Sequence, residues 1–456
     1  MQDPEILDLV GIGLGPFNLG LAALCHPIAD LNPIFFEQAP KFDWHPGMLL
    51  ETSSLQIPFF ADLVTLADPS SHFSFLAYLK EQGRLFQFAI RENNYITRRE
   101  FNRYCQWVVS RLPGLFFHHQ VQSLEYDTAK KCYVVRVIHL PLGQEKKFYA
   151  RCLVLGTGTQ PHWPDFTTKC QGPNLIHSSD YLFYKKSILD KKRVTIIGSG
   201  QSAAEIYYDL LGKLELFPEG LFWYTRSDRF FPMENSKLTY EMTSPDYLDY
   251  FFHLPESSKT ALLATQDVLY KGINASLISD IYDLLYLKTI EDQQLPTGLF
   301  PGCTLLDMER RGEDRFKLSL IQSAQQYHFH LESQVVILAT GYQAGSYSLL
   351  EPVRDRIRWD KKGRLGVQKN YSIDWSGKEI FVQNAELHTH GFSAPDLGMG
   401  PYRNATILRQ ILGYAPYALE SRIAFQNFGI GSPKEKMEEV DYAKPPAPLL
   451  ENMDIS

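Results

Sequence analysis

Two glycine-rich stretches of this chain have the spacing to hold phosphates. The first, "GIGLGPFNLG", contains Gly13-x-Gly15-x-x-Asn18, with Pro16 directly after its second glycine. The second, "GSGQSAAE", contains Gly198-x-Gly200-x-x-Ala203, with Gln201 and Ser202 inside it. In such a pattern the first glycine permits a tight turn and the second lets backbone approach a pyrophosphate. The helix that follows turns its positive end toward the phosphate charge. The residue closing the next strand separates the two sites. In the first it is Glu37, about 24 residues after Gly13 and near the ~20 expected of a ribose 2′-hydroxyl acceptor. In the second it is Arg226, with Arg229 nearby, and a cation there suits a 2′-phosphate. An acid in one unit and a base in the other point to FAD first and NADPH second. A third stretch, "LQIPFFADLVTLADP", sets Phe59 and Phe60 beside a very small residue, Ala61, and a carboxylate, Asp62. Its aromatics would dry a pocket, and the small residue raises the question of what it makes room for.

The elements needed to position these residues are legible around them. Ile6 to Val10 reads as a strand, Leu19 to Leu24 as a helix and "NPIFFEQ" as a second strand. A second such unit has its strand at Val194 to Ile197 and its next strand at Gly220 to Arg226. "RCLVLGTGTQPHWP" and "SQVVILATGYQ", the latter with Thr340 and Gly341, read as buried strands that return near the dinucleotides. The expected fold is α/β, with two Rossmann-like dinucleotide-binding domains and a small, mostly helical substrate region. Residues 1–185 would be the first part of the FAD-binding domain. Residues 186–334 would be the NADPH-binding domain with the substrate-region helices, and 335–431 the rest of the FAD-binding domain with a closing loop. The charged and proline-rich stretch 432–456 reads as a weakly ordered tail.

Bulk properties narrow the field. At 456 residues the chain is long enough for two or three domains. Hydrophobic residues are 44% and charged ones 21%, ordinary for a globular protein, and a net charge of −7 argues against a nucleic-acid partner. No apolar run is long enough to span a membrane, and the N-terminus lacks the pattern of a signal peptide. The six cysteines form no CxxC pair, which removes disulfide reductases and zinc sites and reads as buried thiols in a reducing cytoplasm.

"GIGLGPFNL", "FDWHPGMLLE", "FFADLVTLADP", "FSFLAYL", "REFNRYCQW", "GSGQSAAE", "ATGY" and "NAELHTHGFSAPDLGMGPYRNA" together resemble the siderophore N-hydroxylating flavin monooxygenases, over nearly the whole chain except the tail. The resemblance implies iron acquisition, an NADPH requirement and a homo-oligomer, tetramer or dimer. It implies that NADPH reduces FAD, that O₂ adds at flavin C4a, and that a neutral amine attacks the distal oxygen. It places Trp44, His45 and Gln56 beside the flavin, and Gln201 and Ser202 at NADPH. It makes His390 to Gly398, including Asp396 and Leu397, a loop closing over flavin and substrate.

The resemblance also gives meaning to Ala61. In the amino-acid hydroxylases of this family the position before the aspartate is typically lysine, read as the partner of the substrate's α-carboxylate. Tyr240 and Gly398 likewise stand where some ornithine enzymes have asparagine and serine. A carboxylate brought to alanine is left unpaired, at high cost. The expected substrate is therefore a diamine, putrescine first and cadaverine second, with O₂ as co-substrate. Its far ammonium would be held by Asp396 or Glu241. Ornithine, lysine and histamine remain alternatives, as do an NADPH oxidase or flavin reductase and a non-catalytic flavin sensor.

Overall fold

In the computed structural model, β1 (Ile6–Ile12) lies at the centre of a seven-stranded sheet. It pairs in parallel with β2 (Pro33–Phe36) on one side and with the strand Gln144–Leu155 on the other. Central parallel strands have both faces covered, so they are apolar throughout rather than alternating; the last four residues of β1 are all buried. The helix α1 (Pro16–Cys25) starts directly after the glycine turn with proline in its first turn, where a missing N–H costs nothing. A second, wholly parallel sheet takes in Leu175–His177, Val335–Leu338, Arg193–Ile197, Gly220–Tyr224 and Thr297–Phe300, in that order across the sheet. The structure describes residues 4–430 apart from 235 and 313, so the expected tail at 432–456 lies outside the described residues.

The two Rossmann-like units are where the sequence places them, but their borders differ from 185/186 and 334/335. Leu175–His177 and Val335–Leu338 both belong to the second sheet. The chain crosses between the units at Thr159–Pro161 and Tyr342–Ala344, which pair antiparallel as a two-stranded link. A short buried apolar strand carries no mark of which sheet it joins, and pairing across the fold decides it. Helices occupy most of 237–291. A three-stranded antiparallel sheet at Cys303–Ser333 was not foreseen. Two short strands, β3 (Ser54–Pro58) and β4 (Tyr95–Thr97), pair antiparallel and carry the "PFFADL" loop.

All six cysteines are buried and unpaired. Among the described residues no helix is long and apolar enough to cross a membrane, and no cluster of three or more His, Cys, Asp or Glu could hold a metal ion.

Candidate active site

The first glycine turn is built from both ends. Gly13 has φ +83°, and a Cβ there would lie 2.5 Å from the Gly156 carbonyl oxygen, so no other residue fits. Gly15 differs: a Cβ would meet no protein atom within 4 Å. Nothing in the protein requires glycine there, and an approaching pyrophosphate does. Leu14 N–H donates to Glu37 Oε2 and Ala39 N–H to Glu37 Oε1, both at 2.8 Å. Glu37 is thereby fixed beside the turn, with a second lone pair on each oxygen for ribose hydroxyls. These residues fit FAD.

Asn18 corrects an expectation. Its side chain is fully buried beneath the turn, donating to Gly13 O at 2.7 Å and accepting from Gln383 Nε2 at 2.6 Å. The third position of the pattern is usually small because a strand packs against it. Here Gly156 supplies the space instead, since a Cβ on Gly156 would fall 2.5 Å from Asn18 Nδ2. Asn18 therefore ties the loop from below and does not face the cofactor.

In the second unit, a Cβ on Gly198 would lie 2.3 Å from the Ala339 carbonyl oxygen and one on Gly200 3.2 Å from that of Lys271. The helix Gln201–Leu211 follows at once. Ser202 is half-buried in its first turn. Arg226 projects exposed just past the strand Gly220–Tyr224, and among the described residues no hydrogen bond or ion pair engages it. Arg229 is exposed and paired with Asp228 at 3.1 Å. The free guanidinium is Arg226, and the pair of arginines fits a 2′-phosphate. Thr340 and Gly341 act in the link: Thr340 Oγ1 donates to His162 O, and Gly341 O accepts from His162 N–H at 2.9 Å.

Gln201 is turned away from a purely cofactor-facing role. Its Oε1 accepts from Asn274 N–H at 2.8 Å, and its Nε2 donates to Glu205 Oε1 at 2.9 Å. Asn274 Nδ2 in turn donates to Gln56 Oε1, and Arg98 Nη1 donates to Glu205 Oε2 at 2.8 Å. Gln56 and Arg98 belong to the flavin-side unit, so this chain of amides and ions crosses the cleft twice. Asn274, Glu205 and Arg98 have no chemical signature in the sequence. Trp44 packs at 5.1 Å from the Phe101 ring, and His45, left-handed at φ 49°, faces Tyr342 of the link at 5.5 Å. The His45 ring opens on the cleft, yet protein crowds its other sides. That crowding, with the charge of Arg98, holds its basicity below the usual histidine range.

The "PFFADL" loop answers its own question. Asp62 is saturated: Oδ1 accepts from Val64 N–H and Thr65 N–H, and Oδ2 from Thr65 Oγ1 and Phe75 N–H, at 2.7–2.9 Å. It is a structural carboxylate that locks the loop, and so fixes where Ala61 points. Phe59 and Phe60 stack at 4.1 Å, with Phe60 still 47% exposed. Gly398 comes from the far end of the chain to the same place. A Cβ on Gly398 would lie 3.4 Å from Ala61 Cβ and 2.9 Å from Asp396 Oδ1. Leu397, Pro16 and Ala61 line one small cavity, which puts this corner beside the start of α1. Asp396 Oδ1 accepts from Met399 N–H at 3.1 Å, capping the helix Met399–Leu412. Burial pushes the Asp396 carboxyl up. The Tyr240 hydroxyl lies 3.4 Å from that of Tyr95, which stands across from Pro58 at the start of the loop. The Tyr240 phenol is pushed up by burial, by Tyr95 and by the nearby Asp396 charge.

Two expected site residues lie elsewhere. Glu241 accepts from Phe425 N–H, Gln426 N–H and Gln426 Nε2 at 2.9–3.0 Å, and these bonds hold its carboxyl below the ordinary range. It anchors a C-terminal segment and is not directed at substrate. His390 is completely buried, stacked at 4.6 Å on Tyr371, and burial takes its imidazole down to about 3. It is a neutral core residue beneath the closing loop, because the short helix Leu387–His390 directs it inward. Arg403 is a buried residue that sequence reasoning passed over. It pairs with Glu386 at 3.0 Å, donates to Ala394 O at 2.6 Å and lies over the Phe17 ring at 4.6 Å. It ties the loop to the first turn of α1.

Two dinucleotide units around one cleft, with an aromatic corner beside it, define a nicotinamide-dependent flavoprotein. The sequence profile of the L-lysine 6-monooxygenase/L-ornithine 5-monooxygenase family matches residues 5–344. A putrescine N-hydroxylase of Shewanella oneidensis is 48% identical over 426 residues, covering 93% of this chain and 85% of that protein. The FAD-bound crystal structure of a cadaverine monooxygenase of the desferrioxamine pathway, from Erwinia amylovora, superposes with a TM-score of 0.91 at 47% identity, covering 94% of this chain and all of that one. An ornithine N-hydroxylase of Kutzneria sp. 744, with reduced FAD, NADP⁺ and L-ornithine, superposes with a TM-score of 0.83 at 26% identity, covering 90% of this chain and 99% of that one. The chain belongs to the lysine/ornithine monooxygenase family and is a flavin-dependent N-monooxygenase.

Proposed function

We propose that this chain N-hydroxylates one amine of an aliphatic diamine, putrescine first and cadaverine second, with FAD and NADPH, for hydroxamate siderophore biosynthesis. The observation that carries the reading is the meeting of Ala61, Gly398 and Asp396 in one corner. Two positions able to carry carboxylate-binding side chains hold a methyl group and a hydrogen. The charge at the same spot is itself a carboxylate. A substrate α-carboxylate brought there would be desolvated, unpaired and repelled, whereas a second ammonium would be paired. The names of the diamine-acting relatives point the same way.

Bound FAD would supply hydride acceptance and oxygen activation. In this reading the chain's own residues do the rest. Gly13, Gly15 and Glu37 hold the dinucleotide, and Arg226 reads the 2′-phosphate. Phe59 and Phe60 exclude water from the reacting amine. An alkylamine is mostly protonated at neutral pH, and a dry aromatic wall favours its neutral, nucleophilic form. Asp396 holds the other end. The assembly is proposed to be a homo-oligomer, and sedimentation as a 52.3 kDa monomer at micromolar concentration would remove that part.

The test is a hydroxylamine-product assay with putrescine, cadaverine, histamine, ornithine and lysine. Diamines are expected to give product coupled to NADPH oxidation. A preference for ornithine or lysine would overturn the reading, and peroxide without hydroxylamine would make the protein an oxidase.

A further inference from the structure

An alkylammonium has three N–H donors and no acceptor, and burying it requires a partner for each donor as well as for the charge. Asp396 cannot provide all of this. Its Oδ1 already accepts from Met399 N–H. The three N–H groups point apart, so one carboxylate reaches at most two of them, and a further acceptor must come from elsewhere in the corner.

We infer that the hydroxyls of Tyr95 and Tyr240 complete the ammonium site, so that Tyr95 is a specificity residue alongside Tyr240; this rests on the diamine reading of the corner. The two oxygens are 3.4 Å apart. That is longer than a good O–H···O bond, so neither hydroxyl is committed to the other. Both are anchored by their backbones. Tyr95 lies on β4, whose pairing with Pro58 places it directly across from the start of "PFFADL". Its N–H donates to Asn93 Oδ1 at 2.8 Å, and its carbonyl accepts from Arg91 Nη1 at 2.7 Å. Tyr240 ends the helix Lys237–Tyr240, which a reciprocal Ser236–Thr239 capping box starts. One hydroxyl thus comes from the flavin-side unit and the other from the helical region, and Tyr240 lies within reach of the Asp396 charge. Both are neutral dipoles. They add lone pairs without adding charge, so one carboxylate still balances one cation.

The pair distinguishes a diamine from a monoamine of the same length, which brings a methyl group to this place and leaves the hydroxyls and the carboxylate unpaired. The experiment compares kcat/KM for putrescine with that for n-butylamine in the wild type, Tyr95→Phe, Tyr240→Phe and Asp396→Asn. Flavin content controls for folding. Hydrogen bonds to a charged group are worth about tenfold or more in affinity. The diamine-to-monoamine ratio is therefore expected to fall about tenfold in each phenylalanine variant and further in Asp396→Asn, chiefly through KM for the diamine. A ratio that collapses in Asp396→Asn but holds in both phenylalanine variants would overturn the tyrosine inference alone. A wild type with no preference for putrescine over n-butylamine would overturn the diamine reading itself.

Discussion

At the scale of single residues, the chain departs from amino-acid hydroxylases by subtraction. Ala61 and Gly398 remove side chains, and what remains charged is Asp396, whose carboxyl is raised by burial. A raised acid is ionised above its folded pKa and neutral below it, so its attraction for an ammonium is lost as pH falls through that value. The reacting amine also protonates on the way down, but that affects a monoamine of equal length equally. The diamine-to-monoamine ratio of kcat/KM should therefore decline as pH falls from neutrality toward the ordinary carboxylate range. A ratio flat across this range would count against Asp396 as the ammonium's partner. Arg226 gives a second residue-scale prediction. It is exposed and unengaged among the described residues, so Arg226→Ala has no fold to disturb. Losing a charge-assisted phosphate contact costs about 1.5–3 kcal/mol, which is roughly ten- to a hundredfold in KM for NADPH. NADH should be almost unaffected; equal losses for both nucleotides would assign the 2′-phosphate to another residue.

At the scale of elements, most of the "PFFADL" loop is held by one buried carboxylate. Four donors converge on Asp62: Val64 N–H, Thr65 N–H, Thr65 Oγ1 and Phe75 N–H. Asp62→Ala orphans all four, two of them in buried bonds, and each buried unsatisfied group costs about 1–3 kcal/mol. A stability loss of about 3 kcal/mol or more is expected in denaturant unfolding. A change under about 1 kcal/mol would mean that water replaces the carboxylate and that the loop is held by its aromatics. Asp62 also shows what the sequence makes legible. Glycine turns, alternating strands and helices, and the acid or base closing each second strand are local patterns, and they placed both dinucleotide units; the candidate corner came from the family resemblance. The direction of a side chain is not local. Asn18 looks like a degenerate phosphate-loop residue until Gly156, far along the chain, is seen to make room for it. His390 and Glu241 sit in the expected segments but point into the core and at residues 425–426. Arg403, which carries no mark in the sequence, is 1% exposed.

At the scale of the whole molecule, hydride transfer requires that two separately folded sheets keep their cofactors aligned across a cleft, although the chain crosses between them in a two-stranded link of three residues each way. A thin link fixes distance better than angle. The angle is set where side chains bridge the units, and the chain from Gln56 through Asn274, Gln201 and Glu205 to Arg98 does so. Its strongest member is the Arg98–Glu205 pair, with side chains 15% and 5% exposed. Removing one partner of a buried pair leaves the other charge uncompensated, at about 3–5 kcal/mol. Arg98→Met should therefore lower stability by about 3 kcal/mol, and Arg98→Met with Glu205→Gln should recover much of it because no lone charge is left. Alignment should not recover in the same way, since the double variant restores neutrality but not the tie between the helix Gln201–Leu211 and the chain just after β4 on the flavin side. The expected signature is slow flavin reduction by saturating NADPH in both variants, with normal reduction by dithionite, which needs no docked nicotinamide. NADPH-driven reduction at the wild-type rate in the destabilised single variant would show that the link alone orients the units.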